Sequence, residues 1–280
     1  MKVFISADME GITGIVHGDS LLHGRPEYDR ARKYLTDDVV AAAQGALDAG
    51  AREVLVCEGH ANMRNILIEH LPRGVHLVKG PASGKQLCQT EGISRQFACA
   101  LFIGYHAMAG TRRGILSHTW VGSLIHAVHL NGRLVGETGL NAAVCGHYGV
   151  PVVMVAGDDA LARETKKILP WVKPVITKKT LSTNCAVCRP PAETLPEIRA
   201  MAAKTVRERA KARVFRLKGP VNFDITLHRQ DMADKAETYC DVLRLGPRQV
   251  RVRGRNMDEA ARLGWKVAEV LLMEHGGWNA

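Results

Sequence analysis

Short apolar runs alternate with stretches of helical periodicity through residues 1–170. Residues 29–49 illustrate the helical pattern, since apolar side chains recur every three or four positions and the pattern stops at Gly50, a residue favoured just after a helix. Apolar runs of strand length that alternate with helices are typical of a mainly parallel sheet covered by helices. We therefore predict helices at residues 29–49 and 138–148 and strands at residues 3–7, 53–57, 97–103 and 150–155.

A β-hairpin is the strongest local signal in the sequence. Asn131 and Gly132 separate two strand-like runs, residues 126–130 and 133–136. The two central residues of a type I′ turn both have positive φ angles, which Asn and Gly tolerate better than other residues. The sheet is thus expected to be mixed, with an antiparallel pair beside the parallel strands.

The last hundred residues have the pattern of a smaller α+β portion. Asn256, followed three residues later by Glu259, forms a capping box at the start of a terminal helix. Earlier in the chain, Asp158 or Asp159 can cap a helix in a similar way. The fold class is therefore α/β, a mixed, mainly parallel sheet flanked by helices, with a C-terminal α+β portion. In that portion we predict a helix at residues 192–211, strands at 221–227 and 249–252, and the terminal helix up to residue 274.

Composition indicates a globular protein outside the membrane. Hydrophobic residues make up 46% of the chain, yet no apolar stretch approaches the roughly 18 residues that a membrane-spanning helix needs. The first residues lack the pattern of a secretion signal. The seven cysteines are odd in number and lie mostly in apolar segments, which is typical of free thiols in a reducing compartment. We therefore expect a cytoplasmic protein without a membrane partner.

The net charge of +10 raises the alternative of a nucleic-acid-binding protein. The positive charge is concentrated in residues 166–179, 199–218 and 244–255. These runs lack interleaved aromatic residues and any recognition motif, so solvated helix faces and strand edges explain them more simply. We expect no nucleic-acid partner, and salt-dependent retention of DNA or RNA would test the alternative.

Metal-capable side chains follow three of the predicted strands. Asp8 and Glu10 lie two positions apart at the end of the first strand, so the pleat directs both carboxylates to the same side. His60 follows the second strand, and His106 follows the strand at 97–103. Because the carboxyl ends of parallel strands converge on one crevice, these side chains are expected to meet there. The alternative for each is an ordinary loop residue exposed to water.

Glu137 follows the hairpin and opens a helix, where a carboxylate is also favoured by the helix dipole alone. Two imidazoles and three carboxylates form a ligand set suited to Zn²⁺, with Mn²⁺ or Co²⁺ as alternatives. If Asp8 bridges, each of two ions receives three side-chain contacts and keeps an open position for a shared water that becomes the nucleophile. His118 is then the candidate to donate a proton or stabilise the oxyanion, unless it is only a polar loop residue. We expect this metal-binding catalytic domain at residues 1–180 and a smaller portion at 181–280.

Other metal-capable or redox-capable residues have weaker support. Cys185 and Cys188 form a single C-x-x-C motif without a second pair, so metal or redox use is not favoured. His126, His129 and His147 are expected to be packed or solvated rather than ligating.

Five separated motifs resemble the D-aminopeptidase family of zinc peptidases. They are the segment from Ser6 to Gly14 with Asp8 and Glu10, Gly59-His60, Gly104-Tyr105-His106-Ala107, Ser117-His118 and Gly136-Glu137-Thr138-Gly139-Leu140-Asn141. Residues 155–159 are also similar to the family. The likeness covers most of residues 1 to about 180 in the right order and becomes loose after that. Glu58 is a departure, because the family usually has Asp there, and the longer side chain is expected to change how His60 is supported.

The resemblance implies a specific site, reaction and assembly. Asp8, Glu10 and His60 would bind one zinc ion, Asp8, His106 and Glu137 would bind a second, and His118 would be catalytic. The implied activity is removal of the N-terminal residue from short peptides, above all a small D-residue such as D-alanine. The implied assembly is a ring-like homodecamer with an internal chamber. Within enzymes, an amidase acting on another small amide is the alternative.

Overall fold

Twelve strands and six α-helices make up the part of the chain that the computed structural model describes, residues 1–81 and 84–274. The strands are β1 (Lys2–Ala7), β2 (Glu53–Glu58), β3 (Val75–Val78), β4 (Phe97–Tyr105), β5 (Ile125–Leu130), β6 (Arg133–Val135), β7 (Val152–Asp158), β8 (Lys173–Ser182), β9 (Cys185–Cys188), β10 (Val221–Leu227), β11 (Leu243–Gly246) and β12 (Gln249–Gly254). The helices are α1 (Tyr28–Asp48), α2 (Glu137–His147), α3 (Asp159–Ile168), α4 (Pro191–Arg207), α5 (Gln230–Tyr239) and α6 (Met257–Glu274).

The strands form two sheets. Sheet A has the order β3-β2-β1-β4-β7-β8-β9, and its strands are parallel except for β9 at one edge. Sheet B has the order β11-β12-β10-β5-β6 and is antiparallel. The expected α/β class, with a mixed and mainly parallel sheet, is confirmed.

Sheet A separates two hydrophobic cores. Successive side chains of a strand point to opposite faces, so Val3 and Ile5 of β1 enter one core and Phe4 enters the other. The first core lies under α1 and α4, which pack against each other. The second core lies between sheet A and a layer formed by α2, sheet B and α6. No helix in the described residues is long and apolar enough to cross a membrane.

The predicted hairpin and the two predicted helix caps are confirmed. Asn131 and Gly132 have φ angles of +49° and +80° and join β5 to β6 in an antiparallel hairpin. Asp158 caps α3, since its carboxylate accepts a hydrogen bond from the Leu161 backbone N–H at 2.7 Å. Asn256 caps the terminal helix, because its side-chain oxygen accepts a hydrogen bond from the Glu259 backbone N–H at 3.0 Å.

Several element boundaries and short strands were not predicted correctly. The strand at 97–103 is the fourth rather than the third, because the short strand β3 precedes it. The helix predicted up to residue 211 ends at Arg207 and is followed by a 3-10 turn, Arg209–Lys211. Strands β8, β9 and β11 and helix α5 were missed. In β8, Lys173, Lys178 and Lys179 interrupt a clear apolar alternation.

The division of the chain near residue 180 stays a prediction. Residue 180 lies inside β8, and sheet B combines β5 and β6 with β10 to β12 from the end of the chain. Helix α4, which follows the expected boundary, packs on α1 of the first part.

Two glycines bring the loop after β1 against the end of β4. The Gly11 N–H donates to the Gly104 carbonyl at 2.8 Å, and the Asp8 N–H donates to the Ile103 carbonyl at 2.8 Å. A Cβ atom on Gly11 would lie 1.8 Å from the Tyr105 carbonyl oxygen. Gly104 has a φ of +76°, and a Cβ there would lie 2.0 Å from the Asp8 carbonyl oxygen. The close approach of these two segments therefore requires glycine at both positions.

We predict that Gly11→Ala lowers the free energy of unfolding by on the order of 3 kcal/mol, because its methyl group displaces the backbone of β4. Urea denaturation followed by circular dichroism measures the change. Gly18→Ala is the matched control, since a Cβ at Gly18 meets nothing within 4 Å. Equal stability of the two variants would contradict the close approach described above.

Candidate metal centre

Asp8, Glu10, His60, His106 and Glu137 meet in one buried cluster beyond the carboxyl ends of β1, β2 and β4. None of the five is more than 7% exposed. The cluster contains two groups whose ligand atoms lie within 4.8 Å of one another: Asp8 with Glu10 and His60, and Asp8 with His106 and Glu137. Asp8 belongs to both groups, which is the arrangement that a shared ligand between two ions requires.

The ring of His60 is oriented by a backbone carbonyl. Its Nε2 lies 3.1 Å from the Leu21 carbonyl oxygen, which can only accept, so Nε2 carries the proton. The other nitrogen, Nδ1, lies 3.1 Å from Glu10 Oε2 and 3.5 Å from Asp8 Oδ1. An outer hydrogen bond that fixes the tautomer and leaves the second nitrogen facing carboxylates is typical of a metal-binding histidine.

His106 has the opposite tautomer and a similar environment. Its Nδ1 donates to the Ala107 carbonyl at 3.0 Å. Its Nε2 is buried without a hydrogen-bond partner, 3.4 Å from Glu137 Oε1 and 3.5 Å from Asp8 Oδ2. A buried nitrogen without a partner costs free energy unless another group binds it. A cation between His106 and the two carboxylates satisfies all of them.

The ionisable side chains of the cluster shift one another's pKa values. Burial alone would raise the pKa of Glu10, but the charges of His60, His118 and His106 and a hydrogen bond from His60 hold that pKa well below its usual range. Burial alone would lower the pKa of His60 and His106, but nearby carboxylates raise both pKa values well above the usual range. Three carboxylates against two imidazoles leave an excess of negative charge, and the nitrogen and oxygen donors suit a divalent transition metal.

His118 lies at the open side of the cluster, with 23% of its side chain exposed. Its ring stacks on His106 with centroids 4.1 Å apart and planes 12° apart. Its Nδ1 donates to the Leu116 carbonyl at 2.8 Å, while Nε2 lies 3.8 Å from Glu10 Oε1 and 3.9 Å from Glu137 Oε1. Glu10, His106 and His118 form a third group with metal-binding spacing, so the geometry admits His118 either as a proton donor or as a ligand.

Gln89 connects the carboxylates of the cluster and was not found from the sequence. Its amide nitrogen donates to Asp8 Oδ2 at 3.1 Å and also to Glu137 Oε2. Its amide oxygen accepts from Asn141, which in turn donates to the Tyr105 hydroxyl at 2.8 Å. A single glutamine in a 3-10 turn, far from the other residues in sequence, gives no pattern that could have indicated this role.

Glu58 supports the loop that carries His60. One carboxylate oxygen accepts from the Asn65 backbone N–H at 2.6 Å and from the Asn65 side chain, and the other accepts from the Ile66 N–H at 3.0 Å. The Asn65 amide also donates to the His60 carbonyl at 3.0 Å. The departure from aspartate at this position thus affects the loop that follows His60, through Asn65 and Ile66, and not the ring through a direct bond.

Lys178 holds the loop that carries Asp8 and Glu10. Its side chain is fully buried, and its ammonium group donates to the carbonyls of Glu10 and Ile12, both at 2.7 Å, and of Ile15 at 2.5 Å. Burial lowers the pKa of Lys178 to about 8. Three carbonyl oxygens around one ammonium fix the path of the loop, and therefore the direction in which the carboxylates leave it.

The remaining sequence candidates lie outside this centre. The metal-capable groups found in residues 1–81 and 84–274 include neither Cys185 and Cys188 nor His126, His129 and His147. Both cysteines are exposed free thiols on the edge strand β9.

Comparison with known proteins gives the same family at three levels. The D-aminopeptidase family model matches residues 1–265. A D-aminopeptidase of Bacillus subtilis (strain 168) is 39% identical over 193 residues, which cover 69% of each chain. The solved structure of the Zn-dependent D-aminopeptidase DppA from Bacillus subtilis, described as a self-compartmentalizing protease, superposes with a TM-score of 0.92 at 31% identity and covers 97% of this chain and 98% of its own. The chain belongs to the D-aminopeptidase family.

Proposed function

We propose that this protein is a zinc-dependent aminopeptidase that hydrolyses the N-terminal peptide bond of short peptides, above all those that begin with a small D-residue such as D-alanine. The observation that carries the proposal is the pair of ligand groups that share Asp8 in a buried cluster. The structural neighbour with this fold is described as Zn-dependent and as a D-aminopeptidase, which supports the choice of metal and reaction.

We propose two zinc ions per chain. Asp8, Glu10 and His60 would hold one ion, and Asp8, His106 and Glu137 would hold the other. When bound, zinc at such a site would supply an activated water at neutral pH and polarise the substrate carbonyl. The unpartnered Nε2 of His106 and the excess of buried carboxylates support this assignment.

The residues around the cluster prepare it for this reaction. Gln89 and the backbone N–H of Trp120 donate to different oxygens of Glu137, the latter at 2.6 Å, so this carboxylate cannot rotate. The Leu116 carbonyl holds the proton of His118 on Nδ1 and leaves Nε2 to exchange a proton with the reacting group. From this position Nε2 can accept a proton from the attacking water and then donate it to the leaving amine. His118 is therefore proposed as the catalytic residue.

We also propose that the chain assembles into a homodecamer and acts in the cytoplasm. The description of the structural neighbour as self-compartmentalizing supports an assembly with an internal chamber. Such a chamber would restrict access to short peptides.

The reaction is tested with paired D-alanyl-glycine and L-alanyl-glycine and chromatographic detection of free glycine. We expect the zinc-loaded protein to release glycine from the D-alanyl peptide much faster than from the L-alanyl peptide. Treatment with a chelator should abolish release, and zinc should restore it. Release of ammonia from D-alaninamide without cleavage of either peptide would instead identify an amidase.

Metal analysis of two alanine variants separates ligands from the catalytic residue. We expect about two zinc ions per chain in the unaltered protein, because Asp8 completes both sets of three contacts. His106→Ala should lose one ion, since it removes a ligand nitrogen. His118→Ala should keep both ions, because His118 is not needed in either set. One ion per chain in the unaltered protein, unchanged by added zinc, would show that the bridge is wrong.

Kinetics complete this test for His118→Ala. The variant should lower kcat by roughly a hundredfold or more, the usual scale for loss of a general acid or base. The KM for a D-alanyl peptide should change little, because the lost contact forms only in the transition state. Near-normal kcat would make His118 a bystander, and loss of zinc would make it a ligand.

Light scattering of the purified protein tests the assembly. We expect a single particle far larger than the 30.6 kDa chain, with a mass that corresponds to ten copies. A fully active monomer would contradict both the decamer and the restriction to short peptides.

A further inference from the structure

The segment that carries His118 has a strained backbone. We define the His118 segment as residues 113–120. Its residues Arg113, Leu116 and Trp120 have φ angles of +54°, +48° and +58°, although none of them is glycine. The left-handed conformation is unfavourable for a residue with a Cβ atom, so a chain adopts it only where surrounding contacts enforce it. The His118 segment therefore depends on the contacts that hold it.

Two backbone hydrogen bonds attach this segment to the end of sheet A. The Ile115 N–H donates to Oδ2 of Asp158, the last residue of β7, at 2.8 Å. The next N–H, that of Leu116, donates to the carbonyl of Thr183, just after β8, at 3.0 Å. The Leu116 carbonyl in turn accepts from Nδ1 of His118 at 2.8 Å. The orientation of these peptide groups therefore determines the direction in which the His118 ring faces.

Asp158 uses its two carboxylate oxygens for two different elements. Oδ1 accepts from the Leu161 N–H at 2.7 Å and caps α3. Oδ2 accepts from the Ile115 N–H and also from the Thr180 hydroxyl, the latter at 3.1 Å. A helix cap needs only one oxygen, so the bond to Ile115 contributes nothing to α3. Only 1% of Asp158 is exposed, and water therefore cannot replace a bond that is lost.

We propose that Asp158 is a positioning residue for His118. Its Oδ2 holds the His118 segment in the strained conformation and thereby keeps Nε2 of His118 directed at Glu10 and Glu137. The proposal rests on the catalytic role of His118 proposed above. Within the described part of the chain, Asp158 forms no hydrogen bond with a candidate metal ligand, so it acts through the segment alone. Without its bond to Ile115, the Leu116 carbonyl is free to turn away from the His118 ring.

Asp158→Asn removes this bond and keeps the volume of the side chain and the helix cap. The amide oxygen still accepts from the Leu161 N–H, and the NH₂ group donates to the Thr180 hydroxyl, which accepts as well as donates. Only the Ile115 N–H then lacks an acceptor, whereas the reverse orientation sets the NH₂ group against the Leu161 N–H. We expect kcat for D-alanyl-glycine to fall about tenfold, with KM changed little. Zinc content should equal that of the unaltered protein.

A double-variant cycle separates positioning from a general loss of structure. If Asp158 acts through His118, Asp158→Asn should leave the residual kcat of His118→Ala almost unchanged. A general loss of structure would lower kcat by the same factor in both backgrounds. Asp159→Asn is the matched control, because it removes the same charge one position away. Asp159 binds Thr180 and Arg163 and not the His118 segment, so kcat should stay normal.

Crystal structures of the variants provide a readout without turnover. In Asp158→Asn, the Leu116 carbonyl should lie beyond hydrogen-bond distance of His118 Nδ1, whereas Asp159→Asn should keep this bond. Asp158→Ser is a second variant, since serine caps helices as well as aspartate but its single oxygen serves the cap alone. It should show the same displacement of Leu116 and the same dependence of kcat on His118.

The outcomes separate this positioning role from the proposed function. Unchanged kcat in both Asp158 variants, an equal loss of kcat with and without His118, a loss of zinc, or an unaltered His118 segment in the crystal structures would each overturn the positioning role. The aminopeptidase function would stand in all four cases. Failure of the unaltered zinc-loaded protein to cleave any aminoacyl peptide would overturn that function, whereas the crystal structures decide whether Asp158 holds the segment without any turnover.

Discussion

Asp8, Glu10 and Glu137 bring three carboxyl groups into a region almost without solvent, with exposures of 3%, 3% and 2%. An ionised carboxylate in such surroundings is stable only when a cation or a strong hydrogen-bond donor lies next to it. Gln89 and the Trp120 N–H meet part of this requirement by donating hydrogen bonds to Asp8 and Glu137. In the function proposed above, zinc held by the same carboxylates would meet the rest. The region around the cluster is organised to keep these charges together and not to let them separate.

The backbone of the loop at residues 8–15 holds two of these carboxylates, Asp8 and Glu10, in position. Residues 8–15 leave the end of β1 and cross the end of β4 so closely that only glycine fits at positions 11 and 104. Lys178 then fixes the far side of the loop by three hydrogen bonds to carbonyl oxygens. Asp38 of α1 binds Thr13 of the same loop through its carboxylate, and burial raises the pKa of Asp38 to about 6. Polar groups that are costly to bury thus hold the candidate ligands in place, as is common at functional sites.

The sequence predicted the elements and residues whose signals are local. Alternating apolar runs, the Asn131-Gly132 turn and the helix caps depend on a few neighbouring residues, so they were readable without the fold. The convergence of Asp8, His60 and His106 followed from one general property of parallel sheets, the meeting of carboxyl ends. The identity of the family came from the motifs around these same residues.

The residues that the sequence analysis missed contact the cluster from distant positions in the chain. Gln89 reaches Asp8 from 81 positions away, and Lys178 reaches Glu10 from 168 positions away. Neither residue lies in a motif, and a lysine in a strand is ordinarily expected to be exposed. Strand β8, which contains Lys178, was missed because its charged residues conceal the apolar pattern of a strand. Only the packing of sheet A on the loop after β1 gives these residues their roles.

Trp120 has one further property, which concerns how such an enzyme changes over evolutionary time. Its hydrogen bond to Glu137 comes from the main chain, whereas its ring packs against Phe223 and Trp265 beside the cavity that the residue lines. Substitution of the side chain therefore alters the surface offered to a substrate and leaves the donor to the carboxylate in place, except for proline, which lacks the N–H. The φ angle of +58° favours glycine or asparagine among the replacements. The surface beside the cavity can thus change at this position while the hydrogen bond to Glu137 is kept.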